Sequence, residues 1–356
     1  MINSINIANF KGLSKLRIED VSYVNLIGGM NNVGKTSLLE ALFLFYNRYN
    51  VNCIISLYAF RAITALANNV DSLWSPIFSN FDLNNLIEIS LAENGKSNTL
   101  FLRINKNYKI PVQQKISPNI ITTSRGSRAV YSLDFTYKSF GEKEKIWHHV
   151  IDRNNIASYT EGNIEFEQAR NAYFMLSSVK TNFQEDAIKF GKLDVLGKIG
   201  RLTGFIRDSI EPRLIGLSTI TLESQSYIHA QLEGIDRKIP IAQMGDGMSR
   251  LISILLNISS NENGVLLIDE IETGIHYTVF PKMWNGIVKA AKEYNCQIFA
   301  TTHSYECLEY AVKGVEKEDQ DSFRYIRLDR KNDKIVSHTF NFEELELSIQ
   351  KKWEVR

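Results

Sequence analysis

The stretch Gly29-Met30-Asn31-Asn32-Val33-Gly34-Lys35-Thr36, entered from the apolar run Val24-Asn25-Leu26-Ile27 and left by helical spacing from Ser37, constrains this chain more than any other. Glycines at both ends let the backbone curl until its N–H groups and the N-terminus of the next helix converge on one point, which suits a phosphate. Lys35 can then reach the β and γ oxygens of a nucleoside triphosphate, and Thr36 can hold Mg²⁺. The expected nucleotide contacts are Asn31, Asn32, Val33, Gly34, Lys35, Thr36 and Ser37. The loop requires a strand before it and a helix after it, so the chain is expected to be α/β.

The spacing of apolar residues predicts the surroundings. Residues 2–9 alternate and 16–18 offer a second short strand, which together with 24–27 predict a small sheet beside the nucleotide. A helix is expected over 37–49 and a second helical stretch over 53–67. β-like runs at 87–91, 99–104, 130–137 and 146–151, linked by polar segments 92–98 and 117–127, predict an N-terminal antiparallel β subdomain. Over 183–213 the apolar spacing turns helical (Ile188, Leu193, Leu196, Ile199, Leu202, Ile206), predicting a helical insertion before strands at 217–222 and 226–232. From Gly247 onward helix and strand alternate: helix to about 257, strand 265–269, helix about 277–294, strand 297–301, helix from 305. That is the pattern of a parallel sheet with covering helices. A hairpin over 323–328 and 335–340 and a helix from 342 complete one domain spanning 1–356.

Gly264-Val265-Leu266-Leu267-Ile268-Asp269-Glu270 is an apolar strand ending in two acids, which places Asp269 at the carboxyl edge of the parallel sheet, where such sheets bind ligands. Asp269 is expected to hold Mg²⁺ through water, and Glu270 to orient or deprotonate the water that attacks the γ-phosphate. Ile298-Phe299-Ala300-Thr301-Thr302-His303-Ser304 is a second buried strand emerging at the same edge, and His303 is expected to contact the γ-phosphate or the attacking water. The expected catalytic set is Lys35, Glu270 and His303. The other histidines singled out, His148, His149, His229 and His338, read as structural.

Met244-Gly245-Asp246-Gly247-Met248-Ser249-Arg250 is another glycine-rich helix start, and so another anion site. One nucleotide needs only one cradle, so this turn is expected to serve the nucleotide of a facing subunit, making a homodimer.

Asn9-Phe10-Lys11-Gly12, GMNNVGKTS, MGDGMSR, LLIDEIETGIH and ATTHS, in that order, resemble the ABC-type ATPase heads of the OLD-like, RecF and SMC groups. Stand-alone bacterial OLD-like ATPases are the nearest likeness, sharing an acidic-hydrophobic final helix and a tail similar to Glu354-Val355-Arg356. The resemblance implies an ATP-hydrolysing head with Mg²⁺, and a head-to-tail ATP sandwich. In it Gly245, Asp246, Gly247, Met248, Ser249 and Arg250 of one subunit cap ATP on the Lys35 loop of the other. Glu270 is then the catalytic glutamate, His303 the switch histidine, and 272–276 the loop that crosses the interface. Where many relatives have a serine and two glycines this chain has Gly245-Asp246-Gly247, which requires Asp246 to point away from phosphate or be neutralised by Arg250. Gln113 and Gln114 are the candidates for the glutamine joining nucleotide to the helical lobe. The chain stops too soon after His303 for a Toprim nuclease, and Glu343, Glu344 and Glu346 read as a solvated helix face.

Forty-one Lys and Arg against forty Asp and Glu leave a net charge of +1, so no overall field draws the chain to nucleic acid or membrane. Cys53, Cys296 and Cys307 lack the spacing of zinc or redox sites. With no targeting pattern or membrane-length apolar run, a cytoplasmic protein is expected. Three roles fit: an ATP-driven switch governing a separate effector chain, as in antiphage defence; a RecF-like DNA repair or clamp ATPase; and a transporter motor. Lys138, Lys143, Lys145, Arg201, Arg207 and Arg213 would favour DNA, but Glu142, Glu144, Asp208 and Glu211 interleave with them.

Overall fold

A computed structural model describes residues 1–50, 52–63, 69–110, 129–152, 155–160, 170–177 and 182–353. In chain order, strands β1 (Ile2–Phe10), β2 (Leu13–Glu19) and β3 (Val24–Gly28) lead to helix α1 (Lys35–Tyr46), then α2 (Cys53–Ala59) and the single turn α3 (Val70–Leu73). Strands β4 (Ile87–Glu93), β5 (Lys96–Lys109), β6 (Ala129–Lys138), β7 (Lys145–Asp152), β8 (Asn155–Thr160) and β9 (Ala172–Met175) follow. Helices α4 (Phe183–Val195) and α5 (Ile199–Ser209) come next, with β10 (Leu214–Leu222), β11 (Gln225–Leu232) and β12 (Ile239–Pro240). The last third runs α6 (Asp246–Ser260), β13 (Val265–Ile268), α7 (Phe280–Glu293), β14 (Gln297–Thr301), α8 (Tyr305–Gly314), β15 (Phe323–Lys331), β16 (Lys334–Phe340) and α9 (Phe342–Gln350).

A six-stranded sheet in the order β16-β15-β3-β14-β13-β9 carries the site. Its five inner pairings include four parallel ones, β15 with β3, β3 with β14, β14 with β13 and β13 with β9, while β16 is antiparallel at the edge. All four carboxyl ends of β3, β14, β13 and β9 therefore open on one side. A seven-stranded antiparallel sheet, β2-β1-β4-β5-β6-β7-β8, and a three-stranded one, β10-β11-β12, complete the architecture.

Helix α1 lies between the two large sheets, which explains why its sequence is apolar all round: from Leu38 to Tyr46 every residue is buried. One core contains α1, the inner face of the antiparallel sheet, and Ile27, Val265, Leu267 and Phe299; the other contains Leu26, Leu266, Ile268, Ile298 and Ala300 against α4, α6 and α7. Adjacent residues of one strand thus feed opposite cores, as the two-residue period of a strand requires. Each fully buried Leu, Ile or Phe contributes roughly 1.5–3 kcal/mol.

The expected small sheet beside the nucleotide is not what forms. β1 and β2 join β4–β8 in the antiparallel sheet, whereas β3 pairs with β14 and β15 in the other. The alternation in 2–9 and the continuous apolar run in 24–27 are the physical distinction, since β3 is buried on both faces and β1 is not. β9 went unpredicted because four residues carry too little periodicity. The helical insertion is two helices, broken where Gly197 adopts φ +68°. Of the helical stretch expected over 53–67, α2 ends at Ala59, and residues 64–68 lie outside the described residues, as do the whole link 117–127 and the tail 354–356.

Candidate nucleotide site

The phosphate loop joins β3 to α1. Gly29 has φ +125°, and a Cβ there would overlap the Leu328 carbonyl of β15; Gly34 has φ +88°, and a Cβ would lie 2.7 Å from Leu13 Cδ2. Both positions therefore require glycine for conformation and for space. Lys35, the first residue of α1, donates to the carbonyls of Gly29 (2.7 Å) and Met30 (2.9 Å), closing the loop on itself. A cavity of about 460 Å³ is lined by Gly12, residues 31–37, Arg61, His303 and Ile335. All seven nucleotide contacts read from the sequence thus line one cavity together with His303.

Asp269 follows β13 at the carboxyl edge. Its Oδ1 accepts from Thr36 Oγ1 (3.1 Å) and Thr301 Oγ1 (2.7 Å), and Thr301 Oγ1 in turn accepts from the Glu270 N–H (2.8 Å). Burial pushes the Asp269 carboxyl above its ordinary pKa, while the two hydroxyl donors pull it back. A partly buried carboxylate facing the hydroxyl at the end of a phosphate loop is an oxygen donor set that fits Mg²⁺. Glu270 adopts φ +47°, an uncommon conformation for a non-glycine residue, and its Oε1 lies 3.7 Å from His303 Nε2. Strain of this kind occurs where the surrounding structure fixes a side chain for a task. Glu272 Oε1 accepts from the His303 N–H (2.7 Å), and Ser304 caps α8 by accepting from Cys307 N (3.1 Å). Two neighbouring strands and the loop after β13 therefore lock together Asp269, Glu270 and His303.

Sequence reasoning missed Thr301 as the link between the two acids, and missed Arg61 and Glu40. Glu40 on α1 is fully buried and binds both Lys11 (2.6 Å) and Arg61 (2.8 Å). The available signal was Asn9-Phe10-Lys11-Gly12, a motif with no assigned chemistry.

The second glycine-rich turn opens α6. Gly245 has φ +93°, Asp246 is exposed, and Gly247 and Met248 are half-buried. Ser249 and Arg250 point inward: Ser249 Oγ donates to Ile241 O (2.6 Å) and Gly245 O (3.0 Å), and Arg250 donates to Leu176 O (3.3 Å). Of the two ways of accommodating Asp246, pointing away from phosphate or neutralisation by Arg250, this packing disfavours the second, since the acid beside Arg250 is Asp186 of α4. A Cβ on Gly247 would lie 3.4 Å from Gly274 O, so the turn and the loop 272–276 form one continuous surface. Among the described residues, none of 245–250 lines the phosphate-loop cavity of its own chain.

The histidines read as structural are built in elsewhere. His148 Nδ1 is 2.7 Å from Asp134, His149 is buried with its pKa pushed down to about 4, His229 Nδ1 is 3.0 Å from Tyr227 O, and His338 is 3.8 Å from Asp329. Five of the six basic residues weighed for DNA are divided between elements and paired: Lys138 with Glu144, Lys145 with Glu142, Arg201 with Glu293, Arg207 with Asp208, Arg213 with Glu211. Gln113 and Gln114 lie outside the described residues. No helix among the described residues is long and apolar enough to cross a membrane.

A phosphate loop on the first strand of a parallel sheet, with an acidic strand end and a histidine beside it on neighbouring strands, is the arrangement of a phosphate-loop α/β ATPase domain. The chain belongs to the AAA ATPase family: residues 1–208 match the model described as "AAA ATPase domain", and residues 109–309 the model described as "AAA domain, putative AbiEii toxin, Type IV TA system". It is similar to an "ATP/GTP phosphatase" of Helicobacter pylori, 23% identical over 97% of each chain. Among solved structures it is similar to an SMC head bound to the C-winged helix domain of ScpA (12% identity, 96% of this chain and 98% of that one, TM-score 0.48). An SMC head domain from Thermotoga maritima is comparable (9% identity, 96% and 99%, TM-score 0.45).

Proposed function

We propose that this ATPase is a Mg²⁺-dependent, dimeric ATP switch whose output is delivered to a separate effector chain. The observation that carries it is the hydrogen-bonded series Thr36, Asp269, Thr301 and Glu270, with His303 3.7 Å from the last. Lys35 and the loop N–H groups neutralise the β and γ phosphates; Thr36 and Asp269 are the residues that would hold Mg²⁺, which would supply charge stabilisation when bound. Glu270 orients a water and accepts its proton as the water oxygen bonds to the γ-phosphorus and the bond to the β-phosphate oxygen breaks, leaving ADP and phosphate. His303 donates to the γ-phosphate side and ties hydrolysis to the loop at Glu272.

The trans arrangement rests on geometry and on the OLD-like resemblance together. Gly245, Asp246, Gly247 and Met248 offer helix-start N–H groups on residues that do not line their own nucleotide cavity, and the loop 272–276 lies beside them. The exposed Asp246 must turn from the partner's phosphate without help from Arg250. Control of an effector, in antiphage defence, is the OLD-like expectation extended to this chain; the paired state of its basic residues gives the DNA-clamp alternative less support.

The test is particle mass by light scattering. Glu270→Gln with ATP should accumulate a dimer, and adding Gly247→Arg should prevent it by filling the trans phosphate site. A particle that stays monomeric under every nucleotide condition, or a Gly247→Arg variant that dimerises with ATP as readily as its parent, would overturn the sandwich.

A further inference from the structure

Glu40 sits one turn into α1, immediately behind the phosphate loop, and its carboxylate is wholly removed from solvent. A charge in that position is tolerated only when it is paired and fully hydrogen-bonded. Glu40 is paired twice. Arg61 grips it with two parallel bonds, Nε to Oε1 (2.8 Å) and an Nη to Oε2 (2.9 Å), and Lys11 Nζ donates to Oε2 (2.6 Å). One carboxylate against two cations leaves the cluster with one uncompensated positive charge.

The backbone strains to assemble it. Lys11 itself has φ +49°, and its main chain is clamped by bonds to Ile77 O (2.9 Å) and from Ser79 Oγ (2.7 Å). Arg61 follows α2 in a tight turn in which Ala62 has φ +57° and both Arg61 N and Ile63 N return to Tyr58 O. Neither left-handed residue is glycine, so each turn costs free energy that the buried carboxylate must offset. The surplus charge lies at the phosphate-loop cavity. Arg61 is about half exposed and lines the phosphate-loop cavity together with His303, and it feels the charge of Asp269. Arg61 and Lys11 also share the adjoining cavity of about 460 Å³ that meets the first one at Gly12, Ser37 and Arg61.

We propose that Glu40 is a positioning residue that holds Arg61 toward the polyphosphate chain of the bound nucleotide, with Lys11 as the second cation of the same clamp. A planar guanidinium held by a bidentate carboxylate keeps further N–H groups in a fixed direction, which suits phosphate oxygens better than a freely rotating ammonium does. The proposal rests on the nucleotide site described above.

The experiment uses the full chain, Mg²⁺ with the non-hydrolysable analogue AMP-PNP for affinity, ATP for turnover, and thermal unfolding as the separate measure of folding. Arg61→Ala should weaken AMP-PNP binding by about tenfold, one charge-assisted hydrogen-bonded contact, and slow turnover, while Arg61→Lys retains part of the affinity. Glu40→Gln should reproduce most of that loss although Arg61 is still present, and the double variant should be no worse than Arg61→Ala alone. Multiplying losses in the double variant, or a Glu40→Gln that lowers only the unfolding temperature, would overturn the positioning role. If Glu40→Gln does not fold, the half-exposed Arg61 decides the matter: Arg61→Ala with unchanged affinity and turnover sinks the proposal. Lys35→Ala is the control for the site itself. Unimpaired AMP-PNP binding in that variant overturns the nucleotide site, whereas loss there with no loss in Arg61→Ala overturns the clamp alone.

Discussion

In the proposed reaction Lys35 and Glu270 act at opposite ends, and substitution should separate them. Lys35→Ala removes the charge that compensates the β and γ phosphates, so tight ATP binding should be lost. Glu270→Gln keeps the side-chain shape and removes the base, so ATP should still bind while turnover falls about 10²–10⁴-fold. Nucleotide titration beside a phosphate-release assay makes the comparison, and equal loss of affinity in both variants would remove Glu270 from its role. These residues were legible in the sequence because each belongs to a contiguous motif whose strand or helix dictates where it emerges. Glu40, Arg61 and Thr301 were not, because their function arises from pairs brought together across 21, 29 and 31 or 32 positions of chain.

At the scale of elements, the helical insertion meets α6 through a buried polar contact. Asp186 on α4 is 3% exposed and faces Arg250, Ser253 and Lys189, with Glu185 beside it and Tyr173 near by on β9. Desolvation raises its pKa from 3.8 to about 6 despite those partners. The folded chain therefore holds this proton to a higher pH than the unfolded chain does. The stability it contributes is fully present below about pH 4 and lost as pH rises through about 6, a change of about 3 kcal/mol. Urea unfolding of wild type and Asp186→Asn between pH 4 and 8 should show wild type losing ground to the variant as pH rises. A constant offset across that window would mean the carboxyl titrates normally. Helical periodicity announced α4 and α6 separately, but no pattern in either one reveals that Asp186 and Arg250 share a pocket.

For the whole molecule, the prediction is ATP hydrolysis without nucleic-acid cleavage by the isolated chain. The proposed site uses Asp269 and Glu270, and in the cluster Glu316, Glu318 and Asp319 two of the acids are paired, Glu316 with Lys289 and Asp319 with Lys292. Plasmid and oligonucleotide incubations with Mg²⁺ or Mn²⁺ are the check; metal-dependent cleavage that persists in Glu270→Gln would reveal a nuclease site outside these acids. The amino-acid sequence by itself determined the phosphate loop, the acidic strand end, the histidine strand and the α/β alternation after Gly247. Those features are local: a glycine at positive φ, a two-residue period and a helix start are set by residues next to one another. Only the tertiary structure decided that β1 and β3 enter different sheets, that short β9 flanks β13, that Arg250 turns inward to Asp186, and that one buried carboxylate gathers Lys11 and Arg61 behind the nucleotide. Each of those depends on which surfaces must be buried against one another, a condition set by the packing of the entire chain and invisible within any one segment.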